Sequence, residues 1–240
     1  MIFSDEVSDR FIAPEMSKFT SASITDMSHT DPEQEFWLAN FILNNIFDAR
    51  VPTPLWQIHF NFLRRCDSAF ESYATARGLT LNFLEDREKQ MRYLRAISHW
   101  ETFLAHLWQA AWFLAYGKPL LFKRDDGSAL QRLNFLHGVT KHADSAIRDG
   151  NFKDDGPLCM WLTNSGLRSG DTTLTFIEMS GILGELAQFA SALQHPQTAL
   201  ASLKRLRDTR SDANGEGGPT CVRGRGRMSH GRPLYPGVTG

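Results

Sequence analysis

Cysteine is scarce in this 240-residue chain: Cys66, Cys159 and Cys221 are the whole complement, odd in number and far apart. With no Cys-x-x-Cys pair and no framework spacing, a disulfide-stapled domain is excluded and a reducing compartment fits. Long apolar runs are missing as well. The most apolar stretch, 103–116, contains His106 and Gln109 and falls short of the ~20 residues a membrane span needs. Asp5, Glu6, Asp9 and Arg10 stand where a secretory signal would need an apolar core. Together these absences predict a cytoplasmic protein with no membrane partner. The loops of familiar nucleotide and hydrolytic chemistry are also absent: no Gly-x4-Gly-Lys-Ser/Thr, no Gly-x-Gly-x-x-Gly opening a helix, no His-Glu-x-x-His and no Gly-x-Ser-x-Gly. No cofactor is expected on this ground.

What is present is a globular composition, 42% hydrophobic and 22% charged, with 17 Phe and 6 Trp to fill a core. The net charge of -1 conceals a split. Residues 203–240 carry eight Lys or Arg against three acidic residues, which leaves about -6 for residues 1–202. The expected organisation is a flexible leader over 1–30, a helical-bundle domain over 31–202, and a disordered basic Gly/Arg-rich tail over 203–240.

Within the domain the punctuation predicts about five helices and a mainly all-α fold. Asp31-Pro32-Glu33 opens the first, with Phe36, Trp37, Phe41, Ile42 and Phe47 on its apolar side, and Pro52 and Pro54 close it. Pro54 starts a second helix that Gly78 should end. The longest signal runs over 82–116 and stops at Gly117-Lys118-Pro119. A fourth helix is expected over 129–149. Leu158-Cys-Met-Trp-Leu-Thr163 followed by Asn164-Ser-Gly166 predicts a small β-hairpin or irregular connector. Thr175-Phe-Ile-Glu178 is a capping box for a last helix over 176–193.

Two helices carry polar residues among their apolar ones. On the central helix Arg92, Arg95, His99, Thr102 and His106 recur at helical spacing, beside Trp100, Phe103, Leu107 and Trp108. The fourth helix offers Arg132, Asn134, His137, Lys141 and His142. Imidazole exchanges protons near neutral pH and guanidinium neutralises a developing phosphorane, so an Arg near a His suits RNA chemistry without metal. The bland reading of each pair is a buried or interfacial hydrogen bond. The histidine spacings are not the i, i+4 that converges two zinc ligands on one helical face.

Arg92-x6-His99 and Arg132-x4-His137 both satisfy the loose Arg-x4-6-His pattern of the HEPN domains, which the chain resembles in motif and helix plan over 31–195. The resemblance implies a compact helical bundle that self-associates, with Arg92 and His99, or Arg132 and His137, as catalytic residues of a metal-independent ribonuclease in RNA metabolism or defence. Tyr93 and Leu133 follow the two arginines where active members commonly place a polar residue. The stretch 133–142 followed by 161–166 also resembles uncharacterised bacterial helical proteins. Lys141, with Arg223, Arg225 and Arg227 of the Arg-Gly run, is expected to add charge contacts to RNA. The competing reading is a non-enzymatic module in which the same stripe binds a protein partner, and a small-ligand pocket between the helices is a third.

Overall fold

The computed structural model describes residues 3–31, 33–47, 51–115, 122–123, 125–148 and 157–194. Seven α-helices and one small sheet lie among them. The centre of the fold is an antiparallel pair, α3 (Leu55–Glu85) and α4 (Gln90–Leu114). Both helices place apolar residues three and four apart, and those residues meet: Tyr73 packs edge-on against Trp100 and Phe103, and Phe83 against Tyr93. Trp100 is fully buried. Its indole donates to the buried Thr80 hydroxyl at 2.9 Å, so the one polar atom of this large side chain is satisfied inside the core.

Gly78 does not stop α3. The helix runs on to Glu85, which moves the start of α4 from the expected residue 82 to Gln90. A mid-helix glycine costs ~1 kcal/mol, and burial of Thr80 and Phe83 in the following turns outweighs it.

α7 (Phe176–Leu193) has the expected bounds, with both halves of the Thr175–Glu178 capping box in place. It lays Phe176, Met179, Leu183 and Leu186 against α3 and α4. The expected fourth helix divides at His142 into α5 (Ala129–Lys141) and α6 (Ala143–Arg148). α2 (Trp37–Phe47) follows a short 3-10 turn at Gln34–Phe36. Here Asp31 accepts the amide of Glu33 at 2.9 Å.

The expected hairpin is a three-stranded antiparallel meander of β1 (Trp161–Thr163), β2 (Gly166–Ser169) and β3 (Thr172–Thr175). Leu162, Leu167 and Leu174 stand opposite one another across it, all fully buried. They form one apolar row facing the helices. The Tyr93 hydroxyl accepts the Leu162 amide at 3.0 Å and ties α4 to the sheet. Gly166 is required for closeness: a Cβ there would lie 2.1 Å from the Leu174 carbonyl oxygen.

The flexible leader is corrected for residues 3–30. They include α1 (Asp5–Phe11), and Ala13, Met16, Phe19, Ile24 and Met27 are buried. Phe19 stacks on Phe83 with ring centroids 6.1 Å apart. Side chains from the helices hold the backbone between: Tyr73 donates to Thr25 O at 3.0 Å, Arg77 to Ile24 O at 3.2 Å, and Arg87 to Ser17 O at 2.8 Å. An irregular segment satisfied by side-chain donors shows no periodicity to read in the sequence. The expected tail over 203–240 lies outside the described residues.

Candidate functional site

Arg92 is half-buried near the N-terminus of α4, and its guanidinium is engaged at the α3–α4 corner. Nη1 donates to the Asn82 carbonyl at 3.0 Å and lies 3.6 Å from the Asp86 carboxylate. His99 stands seven residues on, on the same face but ~10.5 Å along the axis. The two share a stripe and no contact is formed between them along the helix.

Arg132 is likewise engaged. It donates to the Gly127 carbonyl and to the Glu178 carboxylate, the same carboxylate that closes the α7 capping box. His137 is five residues later, ~140° round the helix, and stacks on Trp108 with centroids 6.2 Å apart. Burial, and then Lys141 and His142, hold its imidazole below the usual histidine value. Lys141 is exposed in the last turn of α5. Arg223, Arg225 and Arg227 lie outside the described residues. Neither expected Arg/His pair is therefore a contact pair within this chain.

The structure forms a different one. Arg65 of α3 and His106 of α4 meet across the groove between the two helices, Arg65 Nη1 lying 3.1 Å from His106 Nδ1. Both are half-buried. A guanidinium has no acceptor, so the contact fixes the chemistry of the ring. As a hydrogen bond it requires Nδ1 to accept, which assigns the ring hydrogen to Nε2 and the neutral form to the imidazole. Burial first, then the charges of Arg65 and Arg64, holds His106 below its ordinary value in agreement with this.

The arrangement presents hydrogen-bond donors. Arg65 has a buried Nε with no hydrogen-bond partner, and His106 Nε2–H is a second donor. Arg64, one residue away, keeps its own guanidinium exposed while donating to Asn61 Oδ1 at 3.2 Å. Three nitrogen-rich side chains at one level of the α3–α4 pair suit an anion that accepts several hydrogen bonds. Thr102, one turn before His106, and His99, the turn before that, extend the polar stripe along α4.

His106 belongs to the stripe legible in the sequence. Its partner does not, because Arg65 sits on another helix and only the packing register brings it opposite. Arg65 has no motif of its own.

The other flank of α3 is acidic. Asp67 and Glu71 face a cleft region that also contains Asp31 and Glu35, and it adjoins a cleft of about 400 Å³ lined by Asp26, Phe70, Tyr73 and Arg77. Arg77 pairs with Asp26 at 3.2 Å. Among the described residues no group of three or more His, Cys, Asp or Glu side chains is arranged to hold a metal ion. Cys66 is a buried thiol that burial pushes far up, which leaves it a poor nucleophile. No described helix is long and apolar enough to cross a membrane. No protein-family model matches the chain, and no curated protein or solved structure matches it.

Proposed function

We propose that this chain is an RNA-binding helical protein of the cytoplasm, with Arg65 and His106 as its phosphate contact and Arg64 as a supporting charge. The observation that carries the reading is the Arg65–His106 hydrogen bond, which sets a guanidinium beside an imidazole whose Nε2–H is a donor, at one half-buried place between α3 and α4. A phosphodiester accepts from both, and its charge answers the two guanidinium groups. Metal-independent cleavage, which the HEPN resemblance implies, would run through the same pair. Transfer of Arg65 from imidazole to phosphate frees His106 Nδ1 to accept the 2′-hydroxyl proton as the 2′-oxygen bonds to phosphorus. The P–O5′ bond then breaks to leave a 2′,3′-cyclic phosphate, the imidazolium returns the proton to the departing 5′-oxygen, and the guanidinium stays on the developing charge.

Fluorescence anisotropy with a labelled single-stranded RNA tests the binding, alongside electrophoresis of the same RNA with EDTA present. Arg65→Ala is expected to weaken binding by about tenfold or more and to lower the salt slope by about one unit, with the circular dichroism spectrum unchanged. His99→Ala is expected to change affinity little. RNA binding that is absent, or equal in wild type and Arg65→Ala, overturns the reading.

The second reading is a non-enzymatic interaction module. It is favoured by the engagement of Arg92 and Arg132 with partners inside the chain. Under it Arg132→Ala loses stability and no cleavage is seen under any condition.

A further inference from the structure

α2 is apolar on two sides: Trp37 and Phe41 are buried in the core, and the outward face is apolar as well. Between Trp37 and Phe47 the sequence holds no Asp, Glu, Lys or Arg, and three asparagines are its only polar residues. All three are hydrogen-bonded, Asn45 buried and Asn40 and Asn44 half-buried. Asn40 donates to Gln194 Oε1 at 2.6 Å, Asn44 donates to the Gln194 carbonyl, and buried Asn45 donates to Phe41 O at 2.8 Å while accepting the Val51 amide at 3.0 Å. The side that faces outward is apolar. Ile42, Leu43, Ile46 and Phe47 are 37%, 49%, 62% and 80% exposed, and Phe36 of the preceding turn is 50% exposed. At 100° per residue, Ala39, Ile42, Leu43, Ile46 and Phe47 fill one arc ~140° wide. No polar side chain of α2 interrupts it.

We propose that this face of α2 is the docking surface for a second copy of the chain, related by a two-fold axis. Three features select that occupant. The exposed parts of the five large side chains amount to ~500 Å², toward the upper end of the largest apolar patch a monomer carries, where such patches are often functional, and the larger part of the ~800 Å² that a standard interface takes from each partner. A two-fold axis sets each side chain against α2 of the other copy, so a patch with no formal charge is compatible with itself and opposes no like charges. The same lack of charge gives nothing to an acidic or basic partner, and it lacks the Lys/Arg rim with which an interfacial helix meets anionic lipid. Leu43 and Ile46, at the middle of the arc, are the centre of the contact.

The surface is independent of the Arg65–His106 site, and its test reads mass rather than RNA. Sedimentation velocity of the full chain from 1 to 100 µM is expected to give a dimer. Ile46→Asp is expected to raise the dissociation constant at least a hundredfold. Because Ile46 is exposed in the single protomer, its melting temperature at low concentration should stay close to that of wild type. Leu43→Asp serves as the second variant. A wild-type monomer at 100 µM overturns the proposal, whether α2 is then bare, covered by the chain's own remaining residues, or bound to phosphatidylserine-containing vesicles in a cosedimentation control. A dimer that both variants leave intact also overturns it.

Discussion

His59, His106 and His137 are half-buried, and burial is the first cause that holds all three imidazoles below the ordinary value of 6.5. An unfolded chain takes up these protons near pH 6.5, whereas the native state takes them up only at lower pH. In that window the unfolded state binds more protons, so native stability is complete above about pH 6.5 and falls as the pH drops below it. Glu101, whose carboxyl burial pushes up, acts with the opposite sign above its ordinary value. Melts from pH 8 to pH 5 should therefore show a declining midpoint, and His137→Gln should make the decline shallower. A midpoint that is flat or rises on acidification contradicts this assignment. His106 and His137 are legible in the sequence as members of the two polar stripes, whereas His59 carries no such pattern. What each one touches is not legible there: His137 meets Trp108 and His106 meets Arg65, and both contacts depend on how neighbouring helices are placed.

Among the elements, α7 was the most readable, because its start is written in local chemistry. The Thr175 hydroxyl accepts the Glu178 amide at 3.2 Å, and the Glu178 carboxylate accepts the Thr175 amide at 3.0 Å. The same carboxylate takes Arg132 from α5, so one residue caps a helix and ties it to its neighbour. Thr175→Ala should cost about 1 kcal/mol and lower the melting temperature by ~2–4 °C, and Glu178→Ala should cost more, because it also removes the Arg132 partner. Equal stability of wild type and both variants would show that the cap is idle. α3 runs past the stop signal at Gly78 because packing overrides it. The third strand is not legible in the sequence because Thr172–Thr175 offers a single apolar residue, Leu174, too little for an alternation pattern. The Leu162–Leu167–Leu174 row becomes visible only when the strands are paired.

At the scale of the whole molecule, helix content, the mainly α-helical class and the aromatic core follow from composition and periodicity. The packed leader does not, since Met16, Phe19, Ile24 and Met27 are spaced irregularly and gain their meaning from α3, α4 and α7. The site shows the same division. Sequence supplied the α4 stripe, while the fold engaged Arg92 and Arg132 elsewhere and set Arg65 against His106. α3 thereby separates charge, with Asp67 and Glu71 on the cleft side and Arg65 toward α4. A polyanion is expected on the second flank only.

The state of the His106 ring tests that account most directly. Long-range proton–nitrogen NMR of the imidazoles at pH 7, with and without a short single-stranded RNA and with His106→Gln for assignment, should show His106 neutral, with its hydrogen on Nε2, and shifted by RNA while His59 is not. A His106 ring that is protonated at pH 7, that carries its hydrogen on Nδ1, or that RNA leaves unmoved would contradict the Arg65–His106 phosphate site.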